Sequence, residues 1–153
     1  MQIDPRGPRF GAAITTLVFA AALLLGPTNG LVLVALQALV FACGAILGLR
    51  FAPYGALYRI AIRPRLGPPS ELEDERPPRF AQAVGLVFAV VALLAGLVGL
   101  DPIFYAAVGM ALAAAFLNAA FNFCLGCEMY LRISKLQRSS SRVTPAEDQV
   151  PVA

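Results

Sequence analysis

The 153-residue chain has no histidine and only three cysteines, which removes the commonest side-chain proton shuttle and leaves too few ligands for a structural zinc site of N and S donors. Charge is scarce as well. Charged residues make up 14% of the chain, against about 25% in ordinary soluble domains, while hydrophobic residues make up 59%, against about 45–50%. A soluble globule of that composition lacks the polar side chains to cover its surface, so the sequence belongs in a lipid bilayer. Of twelve basic residues, eleven are arginine and one is Lys135, and their placement says more than the net charge of +3. No nucleic-acid partner is expected.

What is present is a set of apolar runs between short breaks. Residues 1–9 are a charged lead with Arg6 and Arg9, and a first apolar run extends from Phe10 to Leu25. The following Gly26-Pro27-Thr28-Asn29-Gly30 lacks the small-x-small pattern of a signal-peptide cleavage site and predicts a turn between two helices. The second run, Leu31 to Leu49, is interrupted only by Gln37 and Cys43 and carries Gly44-x-x-x-Gly48 on one face, so residues 10–50 form a first transmembrane hairpin. Residues 51–66 differ in kind. Phe51, Tyr54, Leu57, Tyr58, Ala61 and Ile62 recur at steps of three and four with Arg59, Arg63 and Arg65 between them. That pattern predicts an amphipathic helix in the headgroup plane, tyrosines at the interface. Residues 67–79, rich in proline and acids, read as a solvated cytoplasmic linker. A third run covers Phe80 to Leu100 and a fourth continues without charge from Ile103 to Cys127, making residues 80–131 a second hairpin. Residues 132–153 begin basic and, from Ser139 onward, have the composition of a disordered tail.

The two hairpins repeat one plan. An offset of 70 aligns Asp4-Pro-Arg6-Gly-Pro8-Arg9-Phe10 with Asp74-Glu-Arg76-Pro-Pro78-Arg79-Phe80, five identities in seven. The expected fold is therefore all-α: an integral membrane four-helix bundle of two hairpins related by an axis along the membrane normal, with a cytoplasmic interfacial helix between them. Every basic residue falls in the lead, the central segment or the tail, and the two short turns hold none. The positive-inside rule then puts both termini in the cytoplasm of a multi-pass plasma-membrane protein.

Three groups of residues carry candidate chemistry. Cys124 and Cys127, read as i and i+3 near the cytoplasmic end of the fourth helix, are within disulfide reach, and a cytoplasmic pair is more consistent with transient redox chemistry than with a structural bridge. On that placement Cys127, nearer water, is the attacking sulfur and Cys124 the resolving one, although a helix C-terminus and Glu128 both disfavour thiolate. The alternative is that small cysteines simply pack at a helix interface. Arg9 and Arg79, with Arg6 and Arg76, stand at two helix N-termini and form a candidate anion site, or merely sit among lipid phosphates. Gln37, Asn118 and Asn122 are buried amides expected to join helices or to bind a substrate, Asn118 and Asn122 sharing one face. Cys43 approaches Cys124 if the second and fourth helices are neighbours. No second ligand pair accompanies the cysteines, so no metal or other cofactor is expected.

The repeated Pro-x-x-Arg-Phe, the Glu73-Asp74-Glu75-Arg76 stretch and the closing Phe123-Cys124-Leu125-Gly126-Cys127 resemble the domain of unknown function 4395 family of small bacterial integral membrane proteins, over residues 3 to 135. Relatives often carry asparagine after the repeated phenylalanine, where this chain has Gly11 and Ala81. The resemblance implies the topology and no established activity. Members of that family are often encoded near thioredoxin-like and sulfurtransferase proteins, a neighbourhood that implies thiol or sulfur chemistry. The preferred expectation is a membrane thiol or sulfur-relay partner of such a soluble cytoplasmic protein, acting through Cys124 and Cys127. A homo-oligomeric channel or carrier for a small sulfur anion is the first alternative, and a structural membrane subunit or anchor the second. Quinone-coupled disulfide enzymes also combine four helices with Cys-x-x-Cys, but act on the outer face, whereas this pair is expected inside.

Overall fold

A computed structural model of the chain describes residues 2–69 and 71–140, and what the sequence suggests of the tail beyond Ser140 lies outside the described residues. The first short strand, β1 (Gln2–Ile3), leads into helix α1 (Arg6–Asn29), and the second, β2 (Glu73–Asp74), into α5 (Arg76–Leu97). Both helices begin alike because both sequences do. Asp4 Oδ1 accepts the Arg6 N–H at 3.0 Å, and Asp74 Oδ1 accepts the Arg76 N–H at 2.9 Å, the local side-chain turn that favours aspartate before a helix. The strands pair antiparallel, Gln2 with Asp74 and Ile3 with Glu73, so the segment expected to be a free linker is tied at its end to the N-terminal lead.

Glycine sets the far turns. Gly26 (φ 72) breaks α1 ahead of Pro27, and Gly99 (φ 76) separates α5 from α6 (Asp101–Phe121), which Asp101 and Pro102 open. Helix α2 (Leu31–Ala42) follows the first turn and loosens into a wider π turn at Cys43–Leu47. Helices α1, α5 and α6 are long and apolar enough to cross a membrane. The second apolar helix, Leu31–Leu47, is shorter than the run that suggested it. Helix α1 packs on α2 and α6, and α5 on α2 and α6, around a core of Phe19, Val34, Phe104 and Val108 with alanines such as Ala22, Ala92 and Ala107 at the close approaches.

Between the hairpins lie a 3-10 turn (Leu49–Phe51), α3 (Pro53–Leu57), a π turn (Tyr58–Ile62) and α4 (Arg63–Leu66). This is the expected amphipathic segment with one difference. Its tyrosines turn inward, not to the interface: Tyr58 is 3% exposed and donates its hydroxyl hydrogen to Asp4 Oδ2 at 3.0 Å, while Tyr54 donates to Gln37 Oε1 at 2.8 Å. Burial raises the pKa of both, and for Tyr58 the Asp4 carboxylate adds to the effect while Arg6 opposes it. The outward face is left to Phe51, Leu57 and Ile60.

The repeat reaches further than its sequence signature. Phe10 stacks against Tyr58 at 5.9 Å and 45°, and Phe80 against Tyr130 at 5.8 Å and 48°. The last helix, α7 (Leu125–Ser140), is therefore the second-half counterpart of the segment beginning at Pro53.

Candidate functional site

Helix α6 does not run through the cysteines. It ends at Phe121, because Asn122 adopts the left-handed conformation (φ 55) and the N–H groups of Asn122 and Phe123 return to the carbonyls of Asn118 (3.1 Å) and Leu117 (3.3 Å). Asparagine is the side chain other than glycine that best tolerates this geometry, and Gly48 (φ 96) terminates the second apolar helix in the matching place. A new helix, α7, starts at Leu125. The expectation of an unbroken fourth helix to Cys127 is thereby corrected, and Asn122 leaves the helix face that Asn118 occupies.

Cys124 consequently precedes the first residue of α7. Its carbonyl accepts the Glu128 N–H at 3.0 Å, the first helical bond, and the Cys127 N–H approaches its Sγ at 3.3 Å, the position an N-cap side chain takes. Cys124 and Cys127 are joined as a disulfide with Cα atoms 5.1 Å apart. They lie at the N-terminus of an amphipathic helix, where peptide dipoles favour negative charge, and not at the C-terminus that the sequence suggested. Between them Gly126 presses on α5: a Cβ there would stand 2.6 Å from Ala81 Cβ and 2.7 Å from Ala81 Cα. Only glycine lets the pair sit this close.

The arginines do structural work at the same end of the molecule. Arg9 donates from Nε to the Ala119 carbonyl at 3.0 Å and from Nη2 to Ala120 at 3.5 Å; Arg79 donates to Ala45 and Ile46, both at 2.8 Å. Each guanidinium thus satisfies helix-end carbonyls of the other half. Arg76 lies 3.9 Å from Asp74, and Arg6 acts on Tyr58 through its charge.

Of the buried amides, Gln37 is 1% exposed and fully engaged, donating from Nε2 to Thr15 Oγ1 at 3.1 Å and accepting from Tyr54. Asn118 lines a cavity of about 440 Å³ between α1, α5 and α6, and Cys124 lines the same cavity. Gln82, also on its wall, was not singled out from the sequence, where it is one polar residue in a long apolar run; its Oε1 is buried without a partner among the described residues. Gly44 faces Gln82, a Cβ there meeting its side chain at 3.0 Å, which is the use of that half of the Gly44-x-x-x-Gly48 pattern. Cys43 is free and half-buried. Among the described residues no group of three or more histidine, cysteine or acidic side chains is placed to hold a metal.

Fold and site together define an all-α protein with three membrane-capable helices and a bonded cysteine pair capping an amphipathic helix. The chain belongs to the family described as Domain of unknown function (DUF4395), whose model matches residues 3–135, as its motifs suggested. No curated protein and no solved structure matches the chain.

Proposed function

We propose that the chain crosses the plasma membrane four times as a bundle of two parallel-related hairpins and exchanges disulfides through Cys124 and Cys127 with a soluble cytoplasmic dithiol protein of the thioredoxin or sulfurtransferase kind. The exposed apolar side chains on the helix exteriors, Leu24, Ile46, Leu97 and Phe121 among them, suit hydrocarbon surroundings. Arg9 ties the start of α1 to the end of α6 that leads to the cysteines, Arg79 ties the start of α5 to the end of the second apolar helix, and Tyr58 joins the central segment to Asp4 of the lead, so the basic residues of these segments share the cysteine end. Their positive charge favours the cytoplasmic side.

The observation that carries the reading is Cys124 at the N-cap of α7, with the Cys127 N–H directed at its sulfur. That environment stabilises a thiolate, although Glu128 in the first turn opposes it. Cys124 is therefore the attacking sulfur and Cys127 the resolving one, the reverse of the roles drawn from the sequence. In the reduced chain the Cys124 thiolate attacks a partner disulfide, forming a mixed disulfide and expelling one partner thiolate. Cys127 then attacks Cys124, closing the intramolecular bond and releasing the partner as a dithiol; run in reverse, the same two exchanges reduce the Cys124–Cys127 bond with the two electrons of a partner dithiol, which leaves as a disulfide.

The two role assignments separate in a trapping experiment on membranes. Cys127→Ser should accumulate a mixed disulfide with the soluble partner and Cys124→Ser should not. Trapping by Cys124→Ser alone would restore the opposite order, and trapping by neither would leave the cysteines to packing in a structural subunit.

A further inference from the structure

We propose that the cavity behind Cys124 is a binding site for a lipid-soluble quinone, which accepts the electrons of the reduced cysteine pair. The inference rests on the thiol-exchange reading and on a comparison within the chain. In the first half, Thr15, Gln37 and Tyr54 form a hydrogen-bonded rod running from α1 through α2 to α3. Their second-half counterparts follow from the matched elements. Phe19 and Ala22 of α1 correspond to the equally buried Ala89 and Ala92 of α5, 70 residues on, which pairs Thr15 with Gly85. Val34 of α2 corresponds to the equally buried Val108 of α6, 74 residues on, which pairs Gln37 with Ala111. Pro53 and Leu125 open the corresponding last segments, which pairs Tyr54 with Gly126. All three replacements are small, and all three line the cavity.

The contacts beneath agree. Gly11 lies under Tyr54, a Cβ on it standing 3.6 Å from Tyr54 Cβ, and its counterpart Ala81 lies under Gly126. The polar rod of one half thus has no counterpart in the other: the Phe41 ring lies over Gly85, 2.8 Å from where a Cβ would stand, Ala81 closes on Gly126, and the cavity opens beside them, where that half carries its cysteines.

What the space suits follows from its wall. It is mostly apolar, with lengths of α1, α5 and α6 on its sides, so an occupant arrives from the hydrocarbon and not from water. Two amides and the Thr15 hydroxyl interrupt the wall. Among the described residues the buried Gln82 Oε1 has no donor, and the Asn118 amide offers both a donor and an acceptor. A quinone carbonyl accepts a hydrogen bond and a hydroquinone hydroxyl donates one, so these amides serve both redox forms.

The chemistry closes with no further reagent. The Cys124 thiolate adds to a ring carbon of the quinone, and the displaced electron pair moves to a carbonyl oxygen, which takes a proton. The Cys127 thiolate then attacks Cys124: the sulfur–sulfur bond forms, the sulfur–carbon bond breaks, and the leaving pair with a second proton completes the hydroquinone. Two thiols and one quinone become one disulfide and one hydroquinone.

The test uses the full chain, reduced, in lipid nanodiscs loaded with a short-chain ubiquinone, and follows quinone absorbance together with free thiols. Loss of one quinone per two thiols is expected, with a rate that saturates in quinone. Ala111→Gln, which returns the first-half side chain, and Ala115→Leu, which narrows the cavity from another position, should each slow that step on the order of a hundredfold. Both should still exchange with a soluble dithiol protein at the original rate. Exchange with the dithiol while the quinone stays oxidised would overturn the quinone site and leave the thiol reading standing. Unchanged quinone reduction in both variants would place the reaction elsewhere and also overturn it. Inertness toward dithiol and quinone alike would remove both readings.

Discussion

The helix that follows each hairpin starts at the same place in the two halves, yet Ala52-Pro53-Tyr54-Gly55 stands in one and Cys124-Leu125-Gly126-Cys127 in the other. The surrounding scaffold is conserved between them down to the aspartate turns, the tilted Phe–Tyr pairs and the reciprocal arginines. A difference at matched positions of a duplicated frame is informative because the frame is common to both halves. The first half puts bulk and hydrogen bonds there and becomes a brace; the second removes them and gains a bonded cysteine pair over a cavity. The asymmetry can be attacked most directly at Gly126. Gly126→Val would force a branched side chain into Ala81, and the expected loss is about 3 kcal/mol of stability, from overpacking, with separation of α7 from α5. Adding Ala81→Gly copies the first-half arrangement and should recover much of that loss. Thermal unfolding in detergent reads both, and equal stability of the single and double variants would mean that the close approach is not what holds the pair.

The brace in the other half gives the next largest effect. Gln37→Leu keeps the volume but strands Thr15 Oγ1 and the Tyr54 hydroxyl, at a cost of about 2 kcal/mol in the same assay. If that variant unfolds like the wild type, the polar rod is dispensable and the contrast between a braced half and an open half loses its basis.

The arginines sharpen the comparison at smaller magnitude. Arg79 holds two carbonyls at 2.8 Å, whereas Arg9 holds one at 3.0 Å and one at 3.5 Å. Because these groups are exposed, Arg79→Ala should cost only about 1 kcal/mol and Arg9→Ala roughly half of that, measured by the same unfolding midpoint. Equal losses would show that the halves share this load evenly despite the different bond lengths.

Much of the scaffold was legible because its signals are local. The Pro-Arg-Phe repeat and the Gly26-Pro27 break each act over a few residues, and the structure begins helices and turns the chain there. The end of α6 was not legible in that way. Phe121-Asn122-Phe123 contains no proline or glycine, and an asparagine in an apolar run reads equally well as a buried amide; only its left-handed backbone marks the break. The cysteines were misassigned to a helix C-terminus as a direct consequence. A second comparison of the chain with itself, matching Tyr58 to Tyr130, would have exposed the break, since it sets Leu125 against Pro53. The inward tyrosines were missed for a related reason: an aromatic at helical spacing suits a lipid interface or a protein wall, and Asp4 and Gln37, which decide between them, lie far away in sequence.

The smallest effect concerns that inward turn and is visible only in alkali. Tyr58 holds its proton more tightly when folded, first because burial penalises the phenolate and then because Asp4 accepts its hydrogen and repels the anion, with Arg6 partly offsetting. Below the ordinary tyrosine value of about 10, both folded and unfolded chains keep the proton and this group contributes no pH dependence. Above it the unfolded chain loses the proton first, so stability falls as pH rises from there to the folded-state value. Tyr58→Phe should flatten that decline while leaving the part due to Tyr54, whose pKa is raised by burial alone. The first-half aromatic pair is thus titratable from its buried hydroxyl. An alkaline decline as steep in Tyr58→Phe as in the wild type would mean that Tyr58 faces solvent or lipid, and that the lead and the central helix are not joined through Asp4.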